Sequence, residues 1–267
     1  MDSSLKSTAL ITGASSGIGA IYADRLANRG HNLILVARNR ERLDSLAARI
    51  TNDTGRSVEV IVADLNNRAD LARVEQVLRT DATITVLVNN AGIAMFGDLA
   101  NADPDRLESM IQLNVLAPTL LALAAIPGFV ARGSGTLINI SSVLALAPER
   151  FNGSYSGTKA YLLNLSLRLQ QEVASKGVRV QVVLPGATRT AIWEKAGIDI
   201  ATLPPSMLMD VDKMVDAALV GLDRGESVTI PSLPEIADWE AYEAARQNMI
   251  PKLSLRSPAV RYSVTAA

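Results

Sequence analysis

Apolar positions along the chain fall into short, nearly continuous runs. Longer stretches separate them, in which apolar residues recur every three to four positions. The runs Thr8–Thr12, Asn32–Ala37, Ser57–Ala63, Ile84–Asn89, Thr136–Ser141, Val178–Leu184 and Ser227–Pro231 predict seven strands. Leu33-Ile34-Leu35-Val36 and Val86-Leu87-Val88 show no alternation, as expected of strands covered on both faces. Between the strands, helical spacing predicts helices near 17–29, 39–52, 67–80, 104–131, 153–175 and 210–223. Asp103-Pro104 is a start signal, a capping side chain followed by Pro at the first helical position. Strands alternating with helices predict an α/β fold, a doubly wound parallel sheet with helices on both faces and right-handed crossovers.

No repeat, linker or low-complexity segment divides the chain, so 1–267 is expected to be one domain. Two segments stand apart. Residues 188–210, with Pro204-Pro205 and Met207-Leu208-Met209, are expected to form a substrate lid. A tail over 234–267 carries one more helical pattern, 235–249, and a Pro-interrupted end.

Composition narrows the function classes. Apolar residues make up 48% of 267, enough for a full core. Lys and Arg number 26 against 27 Asp and Glu, a balance that points away from nucleic acid and from polybasic membrane binding. There is no cysteine, which removes disulfides, thiolate metal sites and cysteine nucleophiles. The single histidine, His31, lies in the polar turn Asn28-Arg29-Gly30-His31-Asn32 and is expected to be solvated, so no metal site is expected. Ser109–Ala131 is uncharged and long enough to span a bilayer. Its Gln112, Asn114, Pro118, Pro127 and Gly128 favour a buried or interface helix. The polar start Met1–Ser7 leads into an apolar run too short for a signal segment. A soluble, cytoplasmic protein is therefore expected.

Ligands of doubly wound sheets bind beyond the carboxyl ends of the strands. After the first strand comes Thr12-Gly13-Ala14-Ser15-Ser16-Gly17-Ile18-Gly19. Such glycines permit a sharp turn and close approach of a pyrophosphate to the N–H groups of Ser15, Ser16, Gly17 and Ile18 at a helix start. An ordinary Gly/Ser turn is the alternative for this segment alone. In its strand–turn–helix setting it marks a Rossmann-type dinucleotide site, which makes the seven-stranded sheet a Rossmann-type one. The second strand ends Val36-Ala37-Arg38, with no acid to bind a ribose 2′-hydroxyl. Arg38 suits a 2′-phosphate instead, so NADP is favoured over NAD. A solvated helix face beginning at Arg38 is the alternative. Asp64-Leu65 follows the third strand, where adenine is expected, and Asn89-Asn90-Ala91-Gly92 ends the fourth.

Ser142 follows the fifth strand, and Tyr155 and Lys159 share one face of the next helix at i and i+4. An ammonium at that spacing is expected to lower the tyrosine pKa toward neutrality and make Tyr155 a proton donor and acceptor. By itself Tyr-x-x-x-Lys is a common surface pair.

With these motifs together the chain resembles the short-chain dehydrogenase/reductase family, over about Ser7 to Pro231. The matching segments are Thr12-Gly13-x-x-x-Gly17-x-Gly19, Asn89-Asn90-Ala91-Gly92, Ser142 thirteen residues before Tyr155, Tyr155-x-x-x-Lys159 and Pro185-Gly186-x-x-x-Thr190. The resemblance implies roles. Tyr155 would be the general acid in carbonyl reduction and the base in alcohol oxidation, and Ser142 would hold the same oxygen. Lys159 would bind the nicotinamide ribose and depress the Tyr155 pKa. Asn114 would kink its helix and hold a relay water. Thr188 and Thr190 would hold the carboxamide, and Asn90 would support the cofactor site. Two departures are visible: no Gly follows Ser141-Ser142, and Ser16 stands where some NADP-dependent members carry a basic residue.

An NADPH-dependent reductase of ketones or aldehydes is expected, with Leu144, Leu146, Ala94-Met95-Phe96 and Trp193 facing a substantially apolar carbonyl or alcohol substrate. An NAD-dependent alcohol dehydrogenase of the same fold, or a dinucleotide-binding sensor without turnover, are the alternatives. The unusually apolar segments 107–131 and 153–175 suggest, with the resemblance, a homodimer or homotetramer.

Overall fold

The computed structural model of this chain describes residues 7–95, 97–150, 153–195 and 197–262. Phe96, one of the expected substrate contacts, lies outside the described residues. The chain divides into two compact units, Met1–Pro231 and Ser232–Ala267.

The first unit holds seven strands: β1 Thr8–Thr12, β2 Asn32–Ala37, β3 Val58–Val62, β4 Ile84–Asn89, β5 Gly135–Ile140, β6 Val178–Val183 and β7 Val228–Thr229. They form one parallel sheet in the order β3-β2-β1-β4-β5-β6-β7. The order reverses between β1 and β4, which opens a crevice at their carboxyl ends. The helices are α1 Gly17–Asn28, α2 Arg40–Thr54, α3 Arg68–Thr80, α4 Pro104–Ile111, α5 Ala117–Arg132, α6 Gly153–Val173, α7 Ile192–Lys195 and α8 Val211–Asp223.

Every residue of β1 is buried, yet its pleat still sorts side chains by face. Ile11 joins Leu35, Val88 and Ile138 under α1, α2 and α8, with Tyr22, Leu43 and Val215. Leu10 joins Ile34, Leu87 and Leu137 under α3 and α5, with Leu71, Val74, Leu121 and Phe129. The expected cover of both sheet faces is thus observed. At about 25 cal/mol per Å² of buried apolar surface, these two layers dominate the stability of the unit.

The helical run Pro104–Arg132 is long and apolar enough to cross a membrane by length and composition. Here Leu121, Ala124, Ala125 and Phe129 pack on the sheet. A π-helical turn, Gln112–Leu116, interrupts it between α4 and α5 and holds Asn114 buried. His31 departs from its expectation. It is half-buried, its Nδ1 lies 2.8 Å from Ser7 Oγ, and burial holds its pKa below the usual value. The turn packs back on the first strand's start instead of standing in solvent.

The second unit contains α9 Ile236–Met249, which has no buried residue. Trp239 stacks on Tyr242 at 5.5 Å, and Arg246 forms an ion pair with Glu243 at 2.6 Å.

Candidate active site

A cleft of about 810 Å³ opens at the carboxyl ends of the strands, over the β1/β4 reversal. One end is built by the glycine turn. Gly13 and Gly17 have φ of +66° and +56°, which L side chains rarely adopt. A Cβ on Gly13 would meet Asn90 Nδ2 at 2.8 Å, and one on Gly19 would meet Gly13 O at 2.5 Å. The turn therefore lies flat against the end of β4, and α1 starts directly beneath the cleft. Its N-terminus has no side-chain cap and no acidic residue in the first turn, so its N–H groups remain for an anion. Asn90 closes the crevice floor: its Nδ2 donates to Thr12 O at 2.9 Å, and Thr12 Oγ1 accepts from the N–H groups of Asn90 and Ala91.

Gly13, Ser15, Ser16, Gly17 and Ile18 line this end, with Asn90, Ala91 and Gly92. Arg38, Asp64 and Leu65 continue the wall; Arg38 Nη1 lies 3.9 Å from Asp64 Oδ2. Arg42 and Asn39 also line it, residues not among the expected cofactor contacts. Asn39 caps α2 by accepting the Arg42 N–H at 2.9 Å, which sets both at the end of β2. An arginine four residues after Arg38 at a helix start was the available signal.

At the other end, Ser142, Tyr155 and Lys159 come together. Ser142 follows β5, and its Oγ accepts the Leu144 N–H at 3.2 Å, which fixes a short turn. Tyr155 and Lys159 project from the first turns of α6. The Lys159 ammonium donates to Ile140 O at 3.0 Å and lies 5.7 Å from the Tyr155 ring centre. Ser141 Oγ donates to the backbone carbonyl of Lys159 at 2.7 Å, so consecutive residues at the end of β5 grip Lys159 at both ends. Asn114 reaches the same place from the π-helical turn. Its Oδ1 accepts the Ile93 N–H at 3.0 Å, and its Nδ2 donates to Ile93 O and to Thr158 Oγ1.

Electrostatics correct one expectation. Tyr155 is not brought toward neutrality; burial pushes its pKa up to about 12, and a hydrogen bond with Ser142 offsets this only in part. Burial lowers Lys159 to about 8. Desolvation outweighs the attraction of an ammonium that is itself disfavoured by the same burial. Tyr155 is protonated at neutral pH and so is in the form of an acid.

The segment after β6 covers this end. Pro185, Gly186, Thr188 and Thr190 line the cleft. Thr190 approaches the glycine turn, 3.3 Å from where a Gly17 Cβ would stand. Met209 N donates to Ala187 O and Arg189 N to Met209 O, both at 2.9 Å, so the two ends of the expected 188–210 lid are tied together. Trp193 Nε1 donates to Thr188 O at 2.8 Å, which turns the indole inward. Leu144, Trp193, Met95, Met110, Ile192 and Met207 make an apolar chamber around Tyr155. Of the expected residues, Gly19, Asn114 and Leu146 do not line the cleft. Gly19 and Asn114 act from behind it, through packing and hydrogen bonds. Leu146 stands at the end of the turn after Ser142, beyond Leu144.

The cleft fits a dinucleotide: a Cβ would fill the glycine cradle, and uncapped N–H groups face it. The family described as short chain dehydrogenase matches residues 7–200. A short-chain dehydrogenase from Sphingobium yanoikuyae, solved in complex with NADPH, is 51% identical, with a TM-score of 0.94 over 96% of this chain and 100% of that one. The bulky-bulky ketone specific alcohol dehydrogenase from Comamonas testosteroni is 45% identical, with a TM-score of 0.89 over 96% and 98%. A very-long-chain 3-oxoacyl-CoA reductase from Anas platyrhynchos is 36% identical over 73% of this chain, which spans 64% of that relative's length.

Proposed function

Because this chain belongs to the short-chain dehydrogenase family, we propose that it is an NADPH-dependent oxidoreductase that reduces a ketone or aldehyde and, in reverse, oxidises the alcohol. The observation that carries this is the convergence of Ser142, Tyr155 and Lys159 on one apolar chamber beside a dinucleotide cradle. Bound NADPH supplies the hydride.

The chain's residues do the rest. The glycine turn and the start of α1 hold the pyrophosphate, Asp64 and Leu65 border the adenine, and Arg38 with Arg42 faces the 2′-phosphate. Lys159 would hold the ribose next to the nicotinamide, and Thr188 and Thr190 would hold its carboxamide. Ser142 holds the carbonyl oxygen of the substrate. Tyr155, protonated at neutral pH, gives its proton to that oxygen as negative charge develops there. Asn114 keeps Ile93 and Thr158 in place behind the tyrosine.

The apolar chamber supports an apolar substrate, as does the likeness to an alcohol dehydrogenase specific for bulky ketones. Two-fold association is part of the same proposal. Leu116, Leu123 and Tyr161 are exposed, and Thr119 Oγ1 lies 3.1 Å from Tyr161 Oη, so α5 and α6 present one continuous face. A second copy covers that face in a homodimer or homotetramer.

Cofactor choice is tested by the affinities of the purified chain for NADPH and NADH at one salt concentration, in wild type and Arg38→Asp. We expect tighter binding of NADPH, and a loss of about tenfold or more in Arg38→Asp, since a charge-assisted bond becomes a repulsion. NADPH affinity unchanged by Arg38→Asp, or tighter binding of NADH by the wild type, overturns the assignment.

A further inference from the structure

Among the described residues four cations line the cleft, and three belong to structures already described. Arg38 faces Asp64, Arg42 follows the Asn39 cap at the same strand end, and Lys159 is held by Ile140 O. The fourth, Arg106, stands on the opposite wall, in the first turn of α4. Among the described residues its guanidinium has no ion pair and no hydrogen bond. Asp103 and Asp105 share its turn, but among the described residues no carboxylate pairs with it, and Asp103 Oδ1 is taken by the Asp105 N–H. Helix energetics do not explain the residue, because a cation in a first turn opposes the helix dipole.

Position gives it a use. Arg106 precedes Met110 by four residues and shares its helix face. Met110 is fully buried and packs with Ala94, Met95 and Tyr155 at the reacting end of the cleft. Arg106 is therefore the next residue outward along the same wall. At 1.5 Å per residue its Cα lies about 6 Å along the helix axis from that of Met110, which packs with Tyr155. The wall between is apolar, so the cleft offers a proton donor at its base, an apolar stretch, and one free fork of donors at its mouth.

We propose that Arg106 binds an anionic group at the far end of the substrate, so that the preferred substrate is an apolar carbonyl compound with a carboxylate or similar anion at the end remote from its C=O. This rests on the carbonyl-reductase reading of the same cleft. It adds a class that reading leaves open, an amphipathic keto acid in place of a neutral ketone.

The test compares 9-oxodecanoate with its methyl ester, in the NADPH-loaded wild type, Arg106→Ala and Arg106→Lys. Arg106 is exposed, so both variants keep the fold. The expected result is a KM about tenfold lower for the acid than for the ester in the wild type. Arg106→Ala brings the acid to the ester's KM with kcat and the KM for NADPH unchanged, Arg106→Lys restores part of the preference, and added salt weakens it. Equal effects of Arg106→Ala on acid and ester, or a raised KM for NADPH, overturn the inference. Calorimetric binding of 9-oxodecanoate reads Arg106 independently of turnover. Unchanged acid affinity in Arg106→Ala overturns the anion site, whereas turnover of neither ketone with the binding difference intact overturns only the reductase reading.

Discussion

Tyr155 and Lys159 are both taken out of water, and burial pushes their pKa values to about 12 and about 8. The lysine shift has a consequence for the fold. Unfolded, Lys159 has its ordinary value of 10.5, so between about pH 8 and 10.5 the unfolded chain binds more protons than the folded one, and stability rises with pH across that window. Below it, the charged side chain opposes folding. Lys159→Met is therefore expected to unfold at higher denaturant at pH 7, by up to about 3 kcal/mol less the lost contact to Ile140 O, while turnover is lost. The gain should shrink as pH rises through the window, and a Lys159→Met protein less stable than wild type at pH 7 contradicts it. The Tyr155 and Lys159 positions were legible because their spacing on a helix next to a strand-end serine is specific. Their protonation was not, since spacing reports proximity and says nothing of desolvation. Arg42 and Arg106 were missed for a related reason: an arginine in a first turn reads as solvated until the opposite wall of the cleft is seen.

At the scale of elements, α6 must be held in register with β5 for its side chains to meet Ser142. A buried chain of polar groups does this. Asn139 Nδ2 donates to Ser166 Oγ at 2.8 Å, Ser166 donates to Leu162 O, and Ser141 grips the Lys159 carbonyl. Ser166→Ala strands the Asn139 amide and is expected to cost about 1–3 kcal/mol in urea unfolding; an unchanged midpoint contradicts this. Gly19→Ala places a methyl 2.5 Å from Asn90 Nδ2 and Gly13 O. It should lift α1 off the strand end, lower the melting temperature and weaken NADPH binding together, and retention of both sinks the packing account of that glycine. Strand and helix boundaries lie within about two residues of those expected, because fully buried β-branched runs and capped amphipathic helices leave clear periodicities. The short α7 was not legible, and the break in the helix at Asn114 was expected only through the family resemblance, without its π-helical form. A four-residue helix has no period to detect, and a π-helical turn differs from an α-helical one by a single residue that composition does not mark.

At the scale of the molecule, the sheet reversal between β1 and β4 brings the glycine turn, the β4 end, Ser142 and the 188–210 segment to one side. Motifs spread over nearly two hundred residues of sequence thereby meet in one cleft. The parallel order was legible from the strand–helix alternation. The proposed two-fold association places Leu123 between copies. Leu123→Lys should then lower the sedimentation mass of the assembly, and an unchanged mass excludes that face. Central to the whole account is proton delivery by Tyr155 to a carbonyl oxygen beside bound NADPH. The most direct test is NADPH consumption with a bulky diaryl ketone, wild type against Tyr155→Phe, with NADPH affinity measured on both. The account predicts steady alcohol formation by the wild type, a fall of about 10²–10⁴-fold in kcat in the variant, and NADPH affinity that is nearly unchanged. A Tyr155→Phe protein that turns over at the wild-type rate would contradict it.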